Sequence, residues 1–234
     1  MDFAIGITTY NRPDVLEFTL SQFDKFGGDI IIIDDHSDGG CSNRCIRNSE
    51  RLGIAKNKNK CLSLLKDYEK IFLFDDDCFP IRDKWWEIYD GEHHFVHADC
   101  PPQWVNKYDG KNAWWTGAMG CCMMVDGEVL RVAGGMVTEF GMYGYEHVEY
   151  TNRIHKMGIT PYPYITPKNV HDYIWAMDSR GGFDGFDWKG GHKNGNWTGS
   201  SISQADKDKW IQRNGILYNK LAGNTNFVPY DSTN

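Results

Sequence analysis

The sequence predicts an α/β fold with a mostly parallel central sheet, and three observations support this prediction. Short apolar segments alternate with segments of helical periodicity over roughly the first hundred residues. The run Ile30-Ile31-Ile32-Ile33 is typical of a parallel strand that is buried on both faces. A cluster of polar residues follows each of the first three predicted strands. Such a β-α-β-α-β series folds as a right-handed, doubly wound sheet.

The elements of the first half follow from periodicity and from the residues that end each segment. Pro13 is tolerated in the first turn of a helix, and Gly27-Gly28 is a signal that ends one. The sequence therefore predicts strands over residues 3–8, 30–33 and 71–74 and helices over residues 13–26 and 54–68.

The second half of the chain is less regular. It predicts a strand over residues 120–125, a short helix over 126–132 and a helix over 146–157. A final helix is expected to begin near Ser203, which forms a capping box with Asp206. Residues 181–199 are rich in glycine and aromatic residues and have no periodicity. Such a segment is typical of either a mobile lid or a disordered connector.

Three consecutive aspartates, Asp75, Asp76 and Asp77, follow the strand predicted over residues 71–74. Alternate residues of an extended chain face the same side, so Asp75 and Asp77 are expected to project together while Asp76 points away. Two carboxylates on one side suit a hard cation such as Mn²⁺ or Mg²⁺. A solvated acidic turn is the simpler alternative, but the preceding buried strand favours a metal site.

The polar clusters after the other two strands support a binding site at the same place. Residues 8–11 (TTYN) follow the first strand and residues 34–37 (DDHS) follow the second. The carboxyl ends of parallel strands lie at one edge of the sheet, where open α/β sheets bind nucleotides. The three clusters therefore predict a nucleotide site with the acidic triplet at its phosphate end.

Composition limits the class of protein and its expected location. The chain has 234 residues, a net charge of −7 and nine tryptophans, which indicates a globular protein without the basic charge that tracks nucleic acid. The first residues lack the pattern of a signal peptide, and no window reaches the length of a membrane span. Cys41 and Cys45 lie near His36 but lack a second metal half-site, so free thiols are expected. Together these features predict a soluble, reduced, cytoplasmic protein.

The order and spacing of several segments resemble the GT-A fold glycosyltransferases, closest to glycosyltransferase family two, with similarities to β-1,4-galactosyltransferases. The resemblance covers about residues 5–171. The segments that carry it are ITTYNR (7–12), IIDDHSD (32–38), RLGIAKNKN (51–59), LFDDD (73–77) and GYEHVEYTNR (144–153). The second of these is similar to a DD-x-S element and the fourth to a DxD strand. Arg51 stands where the family usually has Asn.

The resemblance implies a GT-A, Rossmann-like fold that forms a single compact domain. Residues 1–100 would form the nucleotide-sugar-binding half, and residues 101–234 the acceptor-binding half with the Gly-rich loop 181–199. The implied reaction is metal-dependent transfer from a nucleotide-diphosphate sugar, expected to be a UDP-sugar, to an acceptor hydroxyl. A divalent cation, Mn²⁺ or Mg²⁺, would stabilise the leaving diphosphate.

The resemblance also assigns roles to residues of the donor site. Asp35 would contact the nucleoside, Thr8 and Tyr10 would line the base, and Asp76 is expected to be the dispensable aspartate. The implied donor-binding residues are Thr8, Tyr10, Arg12, Asp35, Lys58, Asp75 and Asp76, and the implied metal ligands are Asp75, Asp77 and His171.

Glu146 and His147 stand where the family has its catalytic Glu-Asp pair. Either side chain can act as a general base, the first as a carboxylate near a metal and the second as an imidazole that titrates near neutrality. Glu146 is favoured and His147 is second. Attack by the acceptor hydroxyl with inversion at the anomeric carbon is the expected stereochemical outcome.

The acceptor itself is open at this stage. A glycan, a lipid-linked sugar, a protein and a modified nucleobase are all compatible, and the acidic charge leaves a nucleic-acid acceptor open although it disfavours a long one. Tryptophans in loops stack on sugar or base rings. The candidate acceptor-binding residues are Trp114, Trp115, Glu149 and Trp188.

Two alternative functions come from other classes of protein. A nucleotidyltransferase on a similar sheet would need a Gly-rich phosphate loop after the first strand, and residues 8–13 (TTYNRP) contain no glycine. A non-catalytic module that binds nucleotide sugars stays open, because His147 stands where the family has a catalytic Asp. Release of a nucleotide diphosphate would separate the enzyme from this module.

Overall fold

A computed structural model describes residues 2–41, 44–97, 102–193, 196–198 and 202–230, with the backbone alone at residues 102, 191–193 and 196–198. The strands of this part of the chain are β1 (Phe3–Thr9), β2 (Asp29–Asp34), β3 (Cys45–Arg47), β4 (Lys70–Asp75), β5 (Cys78–Pro80), β6 (His94–Val96), β7 (Val105–Tyr108), β8 (Asn112–Trp115), β9 (Cys122–Asp126), β10 (Ile165–Pro167), β11 (Ile174–Ala176), β12 (Gly191–Lys193) and β13 (Asn196–Thr198). The α-helices are α1 (Pro13–Phe23), α2 (Ile54–Leu65), α3 (Gly127–Ala133), α4 (Glu146–Lys156), α5 (Met177–Arg180) and α6 (Gln204–Leu221).

The central sheet has the strand order β3-β2-β1-β4-β9-β6. Strands β1 to β4 are mutually parallel, whereas β9 runs antiparallel to both β4 and β6. Thr8 of β1 pairs with Ile33 on one side and with Asp75 on the other, so the three predicted polar clusters reach the same edge of the sheet. The predicted α/β fold with a mostly parallel sheet is confirmed.

Helices α1 and α2 cover opposite faces of this sheet. Leu16, Leu20 and Phe23 of α1 enter one buried cluster, and Leu62 and Leu65 of α2 enter the other. This division explains why the sheet strands are apolar on both faces.

Helix α2 approaches the sheet closely at a glycine. A β-carbon added to Gly6 would lie 2.6 Å from the Cβ atom of Cys61, closer than real Cβ atoms come. The backbone of β1 therefore leaves the room that α2 needs in order to pack.

The structure adds elements that periodicity does not reveal. Strands β7, β8 and β10 form a second, antiparallel sheet, and β5 pairs with β11. The Gly-rich segment contains the hairpin β12-β13. The predicted free thiols of Cys41 and Cys45 are wrong, because the two cysteines are disulfide-bonded. The spacing of four residues across the start of β3 lets their sulfur atoms meet.

None of the helices in the described parts of the chain combines the length and the apolar character that crossing a bilayer requires.

His94 of β6 is a buried histidine that is held in its neutral form. Its Nδ1 lies 2.8 Å from the carbonyl oxygen of Met124, and its Nε2 lies 3.0 Å from Oγ1 of Thr151. A neutral ring satisfies both contacts, with Nδ1–H donating to the carbonyl and Nε2 accepting from the hydroxyl. Burial lowers the pKa of His94 to about 4.

This histidine predicts a pH dependence of stability. The unfolded chain takes up a proton as the pH falls below about 6.5, but the folded chain does not until about pH 4. The free energy of unfolding should therefore decrease between these values, by about 3 kcal/mol at most from this residue. Urea denaturation across this pH range should show a shallower decrease in His94→Gln, and an unchanged decrease would contradict the assignment.

Candidate active site

A cavity of about 760 Å³ opens at the carboxyl edge of the parallel strands. Both predicted halves of the chain contribute to its wall. The predicted site residues that line it are Thr8, Tyr10, Arg12, Asp35, Lys58, Asp75, Asp77, Glu146 and His147. The structure therefore places the candidate donor-binding residues and the candidate bases around one space.

The acidic triplet divides between the cavity and the protein interior. Asp75 and Asp77 line the cavity, whereas Asp76 is fully buried outside it. The Asp76 carboxylate accepts hydrogen bonds from Oγ1 of Thr9, at 2.6 Å, and from Arg12. Its main-chain carbonyl accepts a further hydrogen bond from the Thr19 hydroxyl, also at 2.6 Å.

These contacts correct two expectations for Asp76. It is not placed to bind the donor, because its carboxylate faces Thr9 and Arg12 beneath the cavity. It is not dispensable either, because a buried cation without its partner is costly.

Two basic side chains balance the negative charge of the three aspartates. Nζ of Lys58, which is buried, lies 3.0 Å from Oδ1 of Asp75 and 2.9 Å from the carbonyl oxygen of Gly120. Burial lowers the pKa of Lys58, but the charges of Asp75 and Glu146 outweigh it and leave the pKa raised. The other cation, Arg12, donates to Oδ2 of Asp77 at 2.8 Å. Both lysine and arginine are therefore charged beside the predicted phosphate end.

The turn after β1 aims Arg12 at these carboxylates. Asn11 has a φ of 53°, a left-handed conformation that Asn adopts more readily than most residues. Its main-chain N–H donates to the Ser37 hydroxyl at 2.8 Å, and its side chain donates to Asp38 at 2.9 Å. The two loops after β1 and β2 thus fix each other.

A carboxylate that the sequence gave no reason to select also faces this part of the cavity. Asp178 lies in α5, directly after β11, and lines the wall near Asp77. The main-chain N–H of Met177 donates to the carbonyl oxygen of Asp77 at 2.9 Å, which joins the two segments. Burial and then the charge of Asp77 raise the pKa of Asp178 to about 8. No local motif marks Asp178, because only the β5-β11 pairing brings it here.

The opposite end of this polar region contains Asp35, Arg51 and Tyr10. Asp35 accepts the main-chain N–H groups of Leu52, at 2.6 Å, and Gly53, at 3.1 Å. The guanidinium of Arg51 lies 3.8 Å from the centre of the Tyr10 ring, and its Nε lies 3.8 Å from Oδ2 of Asp35. The arrangement presents an acceptor, a donor and a flat surface side by side.

Glu146 begins helix α4, where a carboxylate is stabilised by the helix dipole. The preceding Tyr145 has a φ of 74°, a left-handed conformation that is costly for a residue with a large side chain. One carboxylate oxygen, Oε1, contacts Nδ1 of His147 at 2.9 Å. The other, Oε2, is buried and has no hydrogen-bond partner among the described residues. This oxygen is left to accept a hydrogen bond from a group bound in the cavity.

The surroundings of His147 and Glu146 separate their chemistry. Nε2 of His147 lies 3.2 Å from the carbonyl oxygen of Ala118, so both ring nitrogens face oxygen acceptors. A neutral imidazole carries one N–H and satisfies only one of them. Burial raises the pKa of Glu146, but the hydrogen bond and charge of His147 and the charge of Lys58 lower it to about 2. Glu146 is therefore ionised and His147 is arranged as a donor.

His171 is not placed with the acidic residues of the cavity. It lies in the 3₁₀ turn Val170–Asp172, and its ring packs edge-on to His97 with 5.7 Å between centroids. It does not line the cavity. The implied role of His171 as a metal ligand therefore has no support in this geometry.

The four candidate acceptor residues also lie outside the cavity wall. Glu149 forms a buried ion pair with Arg153 at 2.8 Å. Trp115 is buried and donates to Thr166 at 2.8 Å, whereas Trp114 stacks on Tyr162. Trp188 is buried in the core beside α1. None of the four lines the described cavity, and the acceptor roles expected for them stay predictions.

Residues far apart in the chain form the remaining wall. The main contributions come from the segment before β9, the loop before α4 and helix α6. Their side chains are Trp104, Met119, Met142, Tyr143, Tyr145, Ile202, Lys207 and Ile211. Sequence reasoning missed them because no motif relates these segments. In the Gly-rich segment, where a mobile lid was one of two expectations, the side chains of residues 191–193 and 196–198 lie outside the described part of the structure.

Comparison with known proteins identifies the fold. No protein-family model and no curated protein sequence matches the chain. Mannosyltransferase PcManGT from Pyrobaculum calidifontis, in complex with GDP-Man and Mn²⁺, matches with a TM-score of 0.58 and 18% identity over 72% of this chain and 55% of its own. The catalytic domain of Drosophila beta1,4galactosyltransferase 7, in complex with xylobiose, matches with a TM-score of 0.53 and 14% identity over 88% of this chain and 77% of its own.

A third solved structure is Staphylococcus aureus TarS 1-349 in complex with UDP. It matches with a TM-score of 0.51 and 12% identity over 67% of this chain and 55% of its own. The chain thus spans about half the length of two of these proteins. All three have the GT-A fold, so the fold implied by the sequence resemblance is confirmed. The chain is an α/β protein with the fold of the GT-A glycosyltransferases.

The carboxylates at the polar end fit the chemistry of a hard divalent cation. Asp75, Asp77 and Asp178 supply oxygen atoms to one region of the cavity. Within the described ranges, no three His, Cys, Asp or Glu side chains are grouped so that they could hold a metal ion by themselves. This agrees with a cation bound by one or two carboxylates together with substrate phosphates. One or two of these three aspartates would hold it.

The buried position of Asp76 predicts a structural role. Asp76→Asn should lower the free energy of unfolding by about 2–3 kcal/mol, less than the ~3–5 kcal/mol of a fully isolated partner, because Asp77 still pairs with Arg12. Urea denaturation at pH 7 measures the change. Asp178→Asn is the matched control, because it removes a crowded carboxylate and should leave stability equal or higher. An equal loss in both variants would contradict this role.

Proposed function

We propose that the protein is a glycosyltransferase that moves a sugar from a nucleotide-diphosphate donor to an acceptor hydroxyl, with a divalent cation and with inversion. One observation carries the proposal. The Glu146 carboxylate lines the same cavity as Asp75 and Asp77, and its buried Oε2 atom has no hydrogen-bond partner among the described residues. Displacement of a nucleotide diphosphate from the anomeric carbon needs a general base near the phosphate site. A carboxylate with an unpartnered oxygen can serve as this base.

The nucleoside end of the cavity favours a base with an N–H group next to a carbonyl. Asp35 offers an acceptor, and Arg51, stacked on Tyr10, offers donors. Uracil and guanine present the complementary pair, whereas adenine and cytosine present an amino group and a ring acceptor instead. This supports a UDP-sugar as the expected donor and retains GDP-sugars as the second choice.

The diphosphate would lie between the sugar and the nucleobase, against the basic side chains. Lys58, Arg12 and Lys207 line this part of the wall and offset the negative charge of the phosphates. The cation held by the aspartates would act as a Lewis acid that stabilises the leaving diphosphate.

Glu146 acts as the general base in this proposal. Its Oε2 accepts the proton of the acceptor hydroxyl as the acceptor oxygen bonds to the anomeric carbon. The bond between that carbon and the phosphate oxygen breaks, and the nucleotide diphosphate leaves with the electron pair. Because the pKa of Glu146 is about 2, the proton moves only when the hydroxyl has become acidic in the transition state. His147 orients the carboxylate through its 2.9 Å contact.

Substitution of the pair tests this division of roles. Glu146→Gln should lower kcat by about 10²–10⁴-fold, because a neutral amide accepts no proton. The binding of nucleotide diphosphate, measured by calorimetry, should remain. His147→Gln should lower kcat less, because the neutral side-chain amide can still donate a hydrogen bond to Glu146. The base is assigned wrongly if Glu146→Gln keeps its rate while His147→Gln loses it.

Metal removal tests the cation. Chelation should abolish the release of nucleotide diphosphate from the donor, because the leaving diphosphate is no longer stabilised. Addition of Mn²⁺ should restore the release. Asp77→Asn and Asp178→Asn should each raise the Mn²⁺ concentration that gives half-maximal rate. Asp67→Asn is the control, because Asp67 is exposed and does not line the cavity. Full activity after chelation would contradict the metal role.

The same assay separates the alternative classes. A non-catalytic binding module would bind the donor with Mn²⁺ and never release the nucleotide diphosphate. A nucleotidyltransferase would release inorganic diphosphate from a nucleoside triphosphate instead.

A further inference from the structure

The cavity has two walls of different chemical character. The wall at the strand ends contains the carboxylates and basic side chains described above. Much of the remaining lining is aliphatic and aromatic. The side chains that make it so are Trp104, Met119, Met142, Val148, Ile202 and Ile211. We use the term apolar wall for these six residues.

Few hydrogen-bonding groups accompany the apolar wall. The ring nitrogens of His147 already contact Glu146 and Ala118. The nearby Tyr143 and Tyr145 bring one hydroxyl each on large rings. Among the described residues of this side, Glu146 is thus the principal group that can bind a hydroxyl in the cavity. A free oligosaccharide has many hydroxyl groups, which would lose water here without gaining partners.

Helix α6 is fixed against the loop before α4, so the apolar wall is a built surface. Nδ2 of Asn214, which is fully buried, donates to the carbonyl oxygens of Phe140, Tyr143 and Gly144 at 2.7, 2.8 and 3.0 Å. These contacts hold the helix face that carries Ile211 beside the segment that carries Met142.

Part of the apolar wall remains exposed at the cavity mouth. The side chain of Ile211 is 42% exposed although it lines the cavity. Trp104, at another point of the mouth, is also exposed. Apolar side chains that line a cavity and stay open to solvent suit an apolar group of a ligand. Methionine side chains adapt to ligands of different shape, as at Met119 and Met142.

We propose that the acceptor is an alcohol with an apolar body, alkyl or aryl, that packs on the apolar wall while its hydroxyl meets Oε2 of Glu146. This inference rests on the proposed function, because it assigns the acceptor side of the same cavity. The acceptor oxygen bonds to the anomeric carbon, its proton passes to Glu146, and the nucleotide diphosphate leaves with the electrons of the broken bond.

A homologous series of acceptors tests the inference. The assay uses the full chain with Mn²⁺ and the UDP- or GDP-sugar that it hydrolyses, and with the primary alcohols methanol, butanol, hexanol and octanol below their solubility limits. Each methylene buried on the wall should raise kcat/KM about fourfold until the wall is covered. Aryl alcohols form a second arm, which distinguishes a flat acceptor body from a flexible chain.

Two isoleucines of the same helix provide a matched pair of variants. Ile211→Asn should reduce the gain per methylene, and the loss relative to the unmodified protein should grow with chain length. Ile216→Asn is the control, because Ile216 is 58% exposed on α6 and does not line the cavity. Equal slopes in both variants would overturn the assignment of the wall.

The outcomes distinguish the inference from the function on which it rests. Release of nucleotide diphosphate with equal rates for methyl and octyl acceptors overturns the apolar acceptor alone. A free oligosaccharide that surpasses every alkyl and aryl alcohol does the same. If no nucleotide sugar binds or releases its diphosphate, the proposed function fails and the inference fails with it.

Discussion

The contact of Arg12 with Asp76 and Asp77 is the interaction on which the candidate site depends. It ties the turn after β1 to the end of β4 and directs one carboxylate into the interior and the next into the cavity. Buried charges require partners, so each acidic group here needs a cation nearby. Lys58 supplies the second cation from α2. The site is therefore assembled by charge compensation across elements that are distant in sequence.

The features that the sequence predicted correctly are those determined by neighbouring residues. The isoleucine run specifies β2. Asp75 and Asp77 line the cavity and Asp76 does not, as expected, although β4 ends at Asp75 and the next two aspartates lie in a turn rather than in a strand. Parallel strands must end at one edge, which brings Thr8 beside Asp75. Asp178 and Ile211 belong to the same cavity but could not be predicted, because their positions depend on the β5-β11 pairing and on the packing of α6, and neither leaves a local signal.

The binding roles that were expected from residue type alone have no support in the lining of the cavity. Glu149 looked like an acceptor residue because it follows Glu146 by one helical turn, but Arg153 stands four residues further on, which is the spacing of a helical ion pair. That pairing was readable from the sequence. Trp188 and Trp115 were assigned to binding by residue type alone, yet large aromatic side chains also supply core packing. The ring of His171 packs on His97 and does not line the cavity.

The two walls of the cavity have different structural origins, and this bears on specificity. The polar wall consists of strand ends, whose positions follow from the sheet itself. The apolar wall consists of loops and α6, which are joined to the site through Asn214 and the loop before Glu146. A change in α6 therefore alters the acceptor surface without moving β1 or β4. Because the same loop leads into Glu146 through the left-handed Tyr145, a displacement of α6 would also shift the base relative to the acceptor hydroxyl. In the proposed function, acceptor choice and catalytic geometry are thus coupled, and Lys207 of α6 extends this coupling to the donor side.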